Sequence, residues 1–444
     1  MAGLLSHYPL CIFLLAATFF GTLTLLHLVL TGQHLLEDNA TSSGVNLLPT
    51  LSVFADWERP LLAPWARFDA LFFLSIAQHG YTNQGLTVHF PLYPLLVHSL
   101  VWLLNDHAVF AAMVISWACC WGCYECFYRL AKRECGEQVA RLGLLFLAFC
   151  PESFFTFAPY SESLFLLLSF GAIERARAGR LWQANALGGL AMLTRSTGIL
   201  LVIPLGWEWA RRNPFLLRLG ARLRDRFTRL RQRLNAHAVA SEGTSAEPTG
   251  VVSPPQEGAA RLPLAAGAIF SLGLIPLALG GYMLYLHNVT GNFFAFVKGQ
   301  DAWHRSFTWP WQTASLFITA FQRAGQAHDL ALYSINVLDL LLILPLTVLV
   351  LYYTLSRRNI WLGAAFYQLA LVLLLLVVPA HPWPGVPYEV LIATQRYLLP
   401  AFPIFLLMGQ LGVTRPKLYQ LVLVSSVAVL VVFTLRFLSG YFIA

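Results

Sequence analysis

Residues 181–210 read LWQANALGGLAMLTRSTGILLVIPLGWEWA, and the threading of this run sets the topology of everything after it. As one apolar span it would place the arginine-rich segment 211–233 across a membrane from the basic residues that precede it. As a hairpin broken at Thr194-Arg195-Ser196-Thr197-Gly198 it returns the chain to the side it came from. The charges favour the hairpin, because cytoplasmic links of membrane proteins are enriched in Lys and Arg. If a first span at 9–30 runs outward, the links carrying Arg129, Lys132, Arg133 and Arg141, and then Arg175, Arg177 and Arg180, both fall inside. The hairpin adds 211–233, Arg357-Arg358 and Arg415 with Lys417 to that same side. Each limb has about 13 residues, or about 20 Å of helix, too short for a hydrocarbon core of about 30 Å. Its polar tip is therefore expected in a water-accessible cavity.

The composition agrees with a membrane setting. Of 444 residues, 57% are hydrophobic, 14% aromatic and only 11% charged, with mean hydropathy +0.63; ordinary soluble domains carry roughly a quarter charged residues. This excludes a soluble enzyme, a disordered chain and a disulfide-stapled secreted domain. The expected fold is an all-α polytopic membrane protein of about ten or eleven transmembrane or re-entrant helices. Apolar runs fall near 9–30, 107–128, 142–158, 161–174, 181–209, 262–287, 330–354, 360–380, 397–412 and 417–438. The first is too long for a signal-peptide core and has no small-residue cleavage site. The chain divides into an N-terminal module 1–209 with a long extracytoplasmic loop 31–106, a cytoplasmic loop 210–261, and a C-terminal module 262–444 with outer loops 288–329 and 381–396. The cytoplasmic loop reads as basic and amphipathic in its first half and as a Pro-rich disordered linker in its second. Nine arginines between Arg211 and Arg233 account for much of the net charge of +8, so it orients the chain and does not indicate nucleic acid. Seven cysteines form no framework. Cys120, Cys123 and Cys126 drift around a helix axis and read as small buried thiols, not as a metal site. No P-loop, dinucleotide-binding glycine pattern or HExxH is present.

Polar residues stand out against this background. The run 65–81, Trp65-Ala-Arg67-Phe-Asp69 through Gln78-His79-Gly80-Tyr81, is strongly apolar but too short to span. It is expected to lie as an interfacial helix at the outer surface, holding Arg67 and Asp69 at headgroup level. A first-turn acid interacting with the helix dipole and with Arg67 would account for the same residues. His89-Phe-Pro91-Leu-Tyr93-Pro94 reads as a rigid connector or as a cavity wall from which His89 reaches substrate. Glu152 and Glu162 sit in runs so apolar that their charge is costly, a common mark of function. Arg195 at the hairpin tip is the natural counter-charge for Glu162. The later outer loops bring Lys298, Gln300, Trp303, His304 and Arg305, then His381, Glu389, Gln395, Arg396 and Tyr397. Arg396 is either a headgroup anchor or a phosphate ligand, which the guanidinium fork suits.

Taken in order, Arg67-Phe-Asp69 through His79-Gly-Tyr81, Phe90-Pro-Leu-Tyr-Pro94, Pro151 with Tyr160-Ser-Glu162-Ser-Leu-Phe165, and Thr194-Arg195-Ser196-Thr-Gly198 resemble the PIG-V family. Its members are the second mannosyltransferases of glycosylphosphatidylinositol (GPI) anchor assembly and their prokaryotic relatives. The resemblance covers 65–198 and, beyond that, Gln395-Arg396-Tyr397. Arg67 departs from it by standing where a tryptophan often precedes the acid, and Thr197 by replacing the asparagine common after Arg-Ser. The resemblance implies a GT-C-type glycosyltransferase that moves mannose or a similar hexose, with inversion, from a polyprenyl- or dolichyl-phosphate sugar to a lipid-linked or glycan acceptor. It assigns Asp69 as the catalytic base. The expected substrate-binding set is Arg67, His79, His89, Glu162, Arg195, His304, Arg305, Gln395 and Arg396. No metal or other cofactor is expected, because arginines can carry the charge of a departing phosphate. The implied partners are the bilayer, the lipid-phosphate donor and the acceptor, with the site on the extracytoplasmic or luminal side. The compact chain and loose basic loop suggest a bacterial plasma membrane, or the endoplasmic reticulum in a eukaryote. The rival reading is a transporter or flippase of lipid-linked sugars, which also uses broken helices, although no inverted repeat is visible and polarity gathers on one side.

Overall fold

Three stretches are long and apolar enough to cross a membrane: Tyr8–Thr31, Ala108–Cys135 and Pro416–Leu438. At 1.5 Å per residue they extend about 35–42 Å. Around them the computed structural model sets shorter helices. It describes residues 7–31, 61–104, 107–213, 226, 228–229, 271–326, 347–352, 356, 362–381, 390–391 and 394–441. The expectations for 32–60, for the basic and Pro-rich stretch 214–270, and for most of the run 330–354 lie outside these residues.

In chain order the helices are α1 (Tyr8–Thr31), α2 (Asp69–His79), α3 (Leu92–Leu103), α4 (Ala108–Cys135), α5 (Glu137–Ala148), α6 (Glu162–Arg177), α7 (Leu181–Met192), α8 (Val202–Ala210), α9 (Leu274–Thr290), α10 (Ala295–Lys298), α11 (Pro310–Gln326), α12 (Leu362–Val377), α13 (Thr394–Leu398), α14 (Pro403–Thr414) and α15 (Pro416–Leu438). Among the described residues β-pairing is confined to one bridge, Arg305 with Ala380.

The hairpin is formed. Helix α7 stops at Met192, a 3₁₀ turn covers Ser196–Leu201, and α8 runs back. The chain entering and leaving it meets at its base: Arg177 at the end of α6 pairs with Glu208 of α8 at 3.2 Å, and Arg212 donates to the Arg177 carbonyl at 2.8 Å. Gly198 makes the tip possible, because a Cβ there would fall 2.5 Å from the Met192 Cα. The end that holds Arg177 also holds the reversal from α4 to α5 at Gly136 (φ +88°), where Arg177 meets Glu134 at 3.5 Å. The turn from α14 to α15 lies there too, since Tyr419 donates to the Leu142 carbonyl. Among the described residues the basic links thus gather at one end, as the charge argument requires; Arg357-Arg358 and most of 214–233 lie outside them. Some boundaries move. Helix α5 stops at Ala148, well before 158, because Pro151 and the polar pair Glu152-Ser153 turn the chain into a short 3₁₀ segment. Helix α14 starts only at Pro403, after Pro400 has broken the run that begins at 397.

Helix α2 does not lie on a surface. Every residue from Ala70 to Ala77 is buried, because a helix that is apolar on all faces has no side to give to water. The shorter helices pack closely where glycines allow it. A Cβ on Gly143 of α5 would meet the Phe405 carbonyl of α14 at 2.7 Å, and one on Gly409 would collide with the Val139 carbonyl. Substituting Gly409→Val should lower the stability of the detergent-solubilised protein by about 1–3 kcal/mol. Gly280→Ala, where a Cβ meets nothing within 4 Å, should leave it unchanged or slightly raised; thermal unfolding of both variants checks the packing.

Candidate active site

At the end opposite the basic links, the N-terminus of α2 presents Asp69 as its first residue. The preceding Phe68 has a left-handed backbone (φ +49°), which is strained for an aromatic residue. The surroundings hold it. The Phe68 ring packs on Phe437 of α15 at 5.9 Å, Arg67 donates to the Leu438 carbonyl at 3.2 Å, and the Arg67 carbonyl accepts from the Tyr160 hydroxyl at 2.9 Å.

Asp69 faces a cavity of about 130 Å³. Its wall includes Phe73, His89, Ser161, Arg195, Ser196, Gln300, Trp303, Arg305, Arg396 and Tyr397, brought from both halves of the chain. Arg396 of α13 is its electrostatic centre. Its Nη2 donates to Asp69 Oδ2 at 2.8 Å, and its Nε donates to Glu162 Oε1 at 2.8 Å. Its guanidinium also lies over the rings of Phe155 and Tyr160, at 4.5 and 5.0 Å. Glu162 Oε1 accepts from Arg195 Nη1 at 2.6 Å as well. The Glu162 side chain is 3% exposed, so it sits behind the two arginines while they reach the cavity. Arg195 and Arg305 flank the Tyr397 ring at 5.2 and 5.7 Å, and Arg305 donates to the Tyr397 hydroxyl at 3.2 Å.

These charges set protonation. Burial pushes the Asp69 carboxyl up, but Arg396, His89 and Arg195 outweigh it and hold the carboxyl below its ordinary range. Burial lowers the pKa of His89 despite the nearby Asp69 carboxylate, which favours a neutral imidazole. The Tyr397 hydroxyl, which burial would raise, is lowered by Arg305, Arg195 and Arg396. Counting the carboxylates Asp69 and Glu162 against Arg195, Arg305 and Arg396, the site carries one more positive than negative charge. A confined excess of guanidinium charge suits a phosphate.

Of the residues expected to bind substrate, Arg195, Arg305, Arg396 and His89 line the cavity with Asp69, and Glu162 supports two of them. Three are placed elsewhere. Arg67 turns to the end of α15, where a cation satisfies the last carbonyls of a helix. His79 closes the far end of α2, three turns from Asp69. His304 has a left-handed backbone (φ +50°) and its carbonyl accepts from the His381 amide, so it shapes the loop that presents Arg305. Gln395 lies in α13, and its side chain falls outside the described residues, as does Glu389. Ser161 and Ser196, also in the wall, carried no chemical signal beyond their place in motifs.

Comparison with known proteins bears out the resemblance. Residues 12–208, which contain Asp69, Glu162 and Arg195, match the family described as Mannosyltransferase (PIG-V). GPI alpha-1,6-mannosyltransferase 2 of Rattus norvegicus is 31% identical over 156 residues, 32% of this chain and 31% of its own. The Homo sapiens protein of that name is 31% identical over 159 residues, again 32% and 31% of the two chains. GPI mannosyltransferase 2 of Schizosaccharomyces pombe is 26% identical over 152 residues, 33% and 32%. The matches thus span about a third of the length of these relatives. Among solved structures, the Archaeoglobus fulgidus oligosaccharyltransferase aligns with a TM-score of 0.41 at 13% identity, covering 85% of this chain and 49% of that one. Arg305 and Arg396 lie beyond the family match.

Removing the Arg396 charge should release Asp69 upward. In Arg396→Gln, burial acts on the carboxyl with its strongest opposing cation gone, so the group should protonate at a higher pH than in the parent. Infrared difference spectroscopy on ¹³C-aspartate-labelled protein should show the protonated carboxyl band rising nearer neutrality in the variant alone. An unchanged titration would deny the coupling.

Proposed function

We propose that this chain is a membrane-embedded glycosyltransferase that transfers mannose or a similar hexose from a lipid-phosphate donor to a hydroxyl of a glycan or glycolipid acceptor. The observation that carries this reading is the pairing of one cavity-facing carboxylate, Asp69, with three cavity-lining arginines. The family match over 12–208 supplies the class of reaction, and by likeness to its relatives the linkage would be an α-1,6 bond to a GPI-type acceptor. The architecture would be of the GT-C type, with the shorter helices and the 181–210 hairpin completing the bundle around the three long ones. The end that gathers the basic links would face the cytoplasm, and the cavity the opposite, extracytoplasmic or luminal side.

The chemistry follows from the charges. The acceptor oxygen attacks the anomeric carbon from the face opposite the phosphate, its proton passes to Asp69, and the C–O bond to phosphate breaks, inverting the centre. Glycosyl transfer passes through an oxocarbenium-like state, and phosphate needs no proton to leave. Arg396, Arg195 and Arg305 take up the charge that grows on it, so the reaction as written uses no metal. While paired with Arg396, Asp69 is a poor base. An arriving phosphate competes for the same guanidinium, and as Arg396 turns to it the carboxylate regains basicity at the moment it is needed. Glu162 stays behind as the fixed counter-charge that keeps both arginines in place.

Purified protein with a radiolabelled polyprenyl-phosphate mannose and an acceptor glycolipid should consume donor; a carrier would only relocate it. Asp69→Asn, which keeps the shape and removes the proton acceptor, should lower turnover by about 100-fold or more while donor binding persists. A rate near that of the parent would remove Asp69 from its role. Turnover should survive a metal chelator. Because Asp69 is held below its ordinary range, its protonation should cause no loss of activity between about pH 8 and pH 5. An acid limb that appears nearer neutrality in Arg396→Gln and is absent from the parent would assign the base to this carboxyl.

A further inference from the structure

The reaction above uses the arginines and Asp69 and leaves part of the cavity wall without a task. An arginine can only donate, so the three guanidiniums answer a phosphate, whereas a hexose brings hydroxyl protons that need acceptors. Most acceptors in the wall are already engaged. Asp69 Oδ2 takes Arg396, the Tyr397 hydroxyl takes Arg305 at 3.2 Å, and Ser161 Oγ takes Arg195 at 3.4 Å. Gln300 is half-buried and Ser196 exposed, so water can serve either of them in place of a ligand.

His89 differs from these. It lines the cavity yet is only 7% exposed. Its ring stands in an aromatic box, 5.2 Å from Phe72, 5.0 Å from Phe73 and 6.0 Å from Trp303. The backbone under it is fixed from both sides: its amide donates to the Leu86 carbonyl at 3.0 Å, and its carbonyl accepts from the Tyr81 hydroxyl at 2.6 Å. The Leu86 amide is held in turn by Asn83 Oδ1 at 3.1 Å, and Tyr282 donates to the neighbouring Thr87 carbonyl at 2.7 Å. Nδ1, the ring nitrogen nearer the backbone, is sealed from water and makes no hydrogen bond. The Leu86 carbonyl bears on the ring, which favours the proton on Nδ1 and leaves the lone pair of Nε2 to the cavity. A neutral imidazole held this way is a rigid acceptor, because the box leaves it one orientation.

Resting on the transferase reading above, we infer that His89 is a specificity-determining residue whose Nε2 accepts a hydrogen bond from one hydroxyl of the donor's hexose. The arginines then read the phosphate and His89 reads the sugar. A hexose that presents this hydroxyl gains the bond with little side-chain ordering left to do. One that lacks it leaves a confined acceptor unpaired, which is how a site rejects an analogue of nearly the same shape.

Full-length protein in nanodiscs would be assayed with polyprenyl-phosphate mannose and its 2-, 3-, 4- and 6-deoxy analogues. In the parent, one analogue should lose roughly tenfold or more in kcat/KM. His89→Phe, which keeps the aromatic packing, should lose about the same factor on the mannose donor and nothing further on that analogue, since the two deletions remove one contact. His89→Gln, whose amide oxygen can stand in the place of Nε2, should restore part of the discrimination, and this separates a lost contact from a damaged fold. An analogue penalty of equal size in the parent and in His89→Phe overturns the assignment, as does His89→Phe working at the parent's rate. Spectra of ring-¹⁵N-histidine protein give a readout without turnover, with the His89 signals identified by their absence from His89→Phe. Polyprenyl-phosphate mannose should shift the Nε2 resonance and polyprenyl phosphate alone should not; an equal shift with both, or a shift with neither, overturns it. A shift confined to the mannose donor in protein that consumes no donor would leave the hydroxyl contact standing and sink the transferase reading.

Discussion

Two carboxylates and two arginines placed at 69, 162, 195 and 396 must neutralise one another, and the site is built around that requirement. Charge withdrawn from water is tolerated only when paired and hydrogen-bonded, and here Glu162 Oε1 takes Arg195 and Arg396 together while Arg396 also reaches Asp69. The aromatic shell of Phe155 and Tyr160 around the Arg396 guanidinium strengthens this constraint by excluding water. The network fixes the start of α2, the start of α6, the hairpin tip and α13 relative to one another. A cavity bounded by those four places inherits its shape from the charges.

Parts of this were legible in the residues and parts were not. The hairpin at 181–210 could be read because counting basic links is a parity argument, and parity survives errors in helix boundaries. Arg195 could be matched to Glu162 because both interrupt apolar runs and charge there demands a partner. The pairing of Arg396 could not be read: the residues leave it between a headgroup anchor and a phosphate ligand, and nothing local says that it folds inward onto an acid 327 residues away. Arg67 misled in the opposite sense. It stands two residues from Asp69, yet the left-handed turn at Phe68 sends it to the end of α15. A single backbone dihedral separates neighbours in sequence, and sequence patterns do not record it.

The burial of α2 was missed for a related reason. An apolar stretch too short to span is equally consistent with a helix lying flat at an interface and with one inserted among others. Ala70, Phe72, Phe73, Leu74 and Ala77 cover more than one face, and that all-round character, more than the length, was the useful signal. The prolines at 151, 400 and 403 likewise mark helix boundaries more faithfully than hydropathy does.

The order in which the charges occur along the polypeptide has a consequence for biogenesis. Asp69, Glu162 and Arg195 all emerge from the ribosome before residue 200, whereas the cation that pairs with both acids is made nearly two hundred residues later, and α15, which steadies Phe68, comes last of all. Until Arg305 is made the nascent bundle carries one acid too many at this end, and until Arg396 is made Asp69 lacks the guanidinium it pairs with and must stay open to water. The pocket is consequently the final part of the molecule to close, and a polypeptide cut short before Arg396 would insert its first helices yet never seal its own centre.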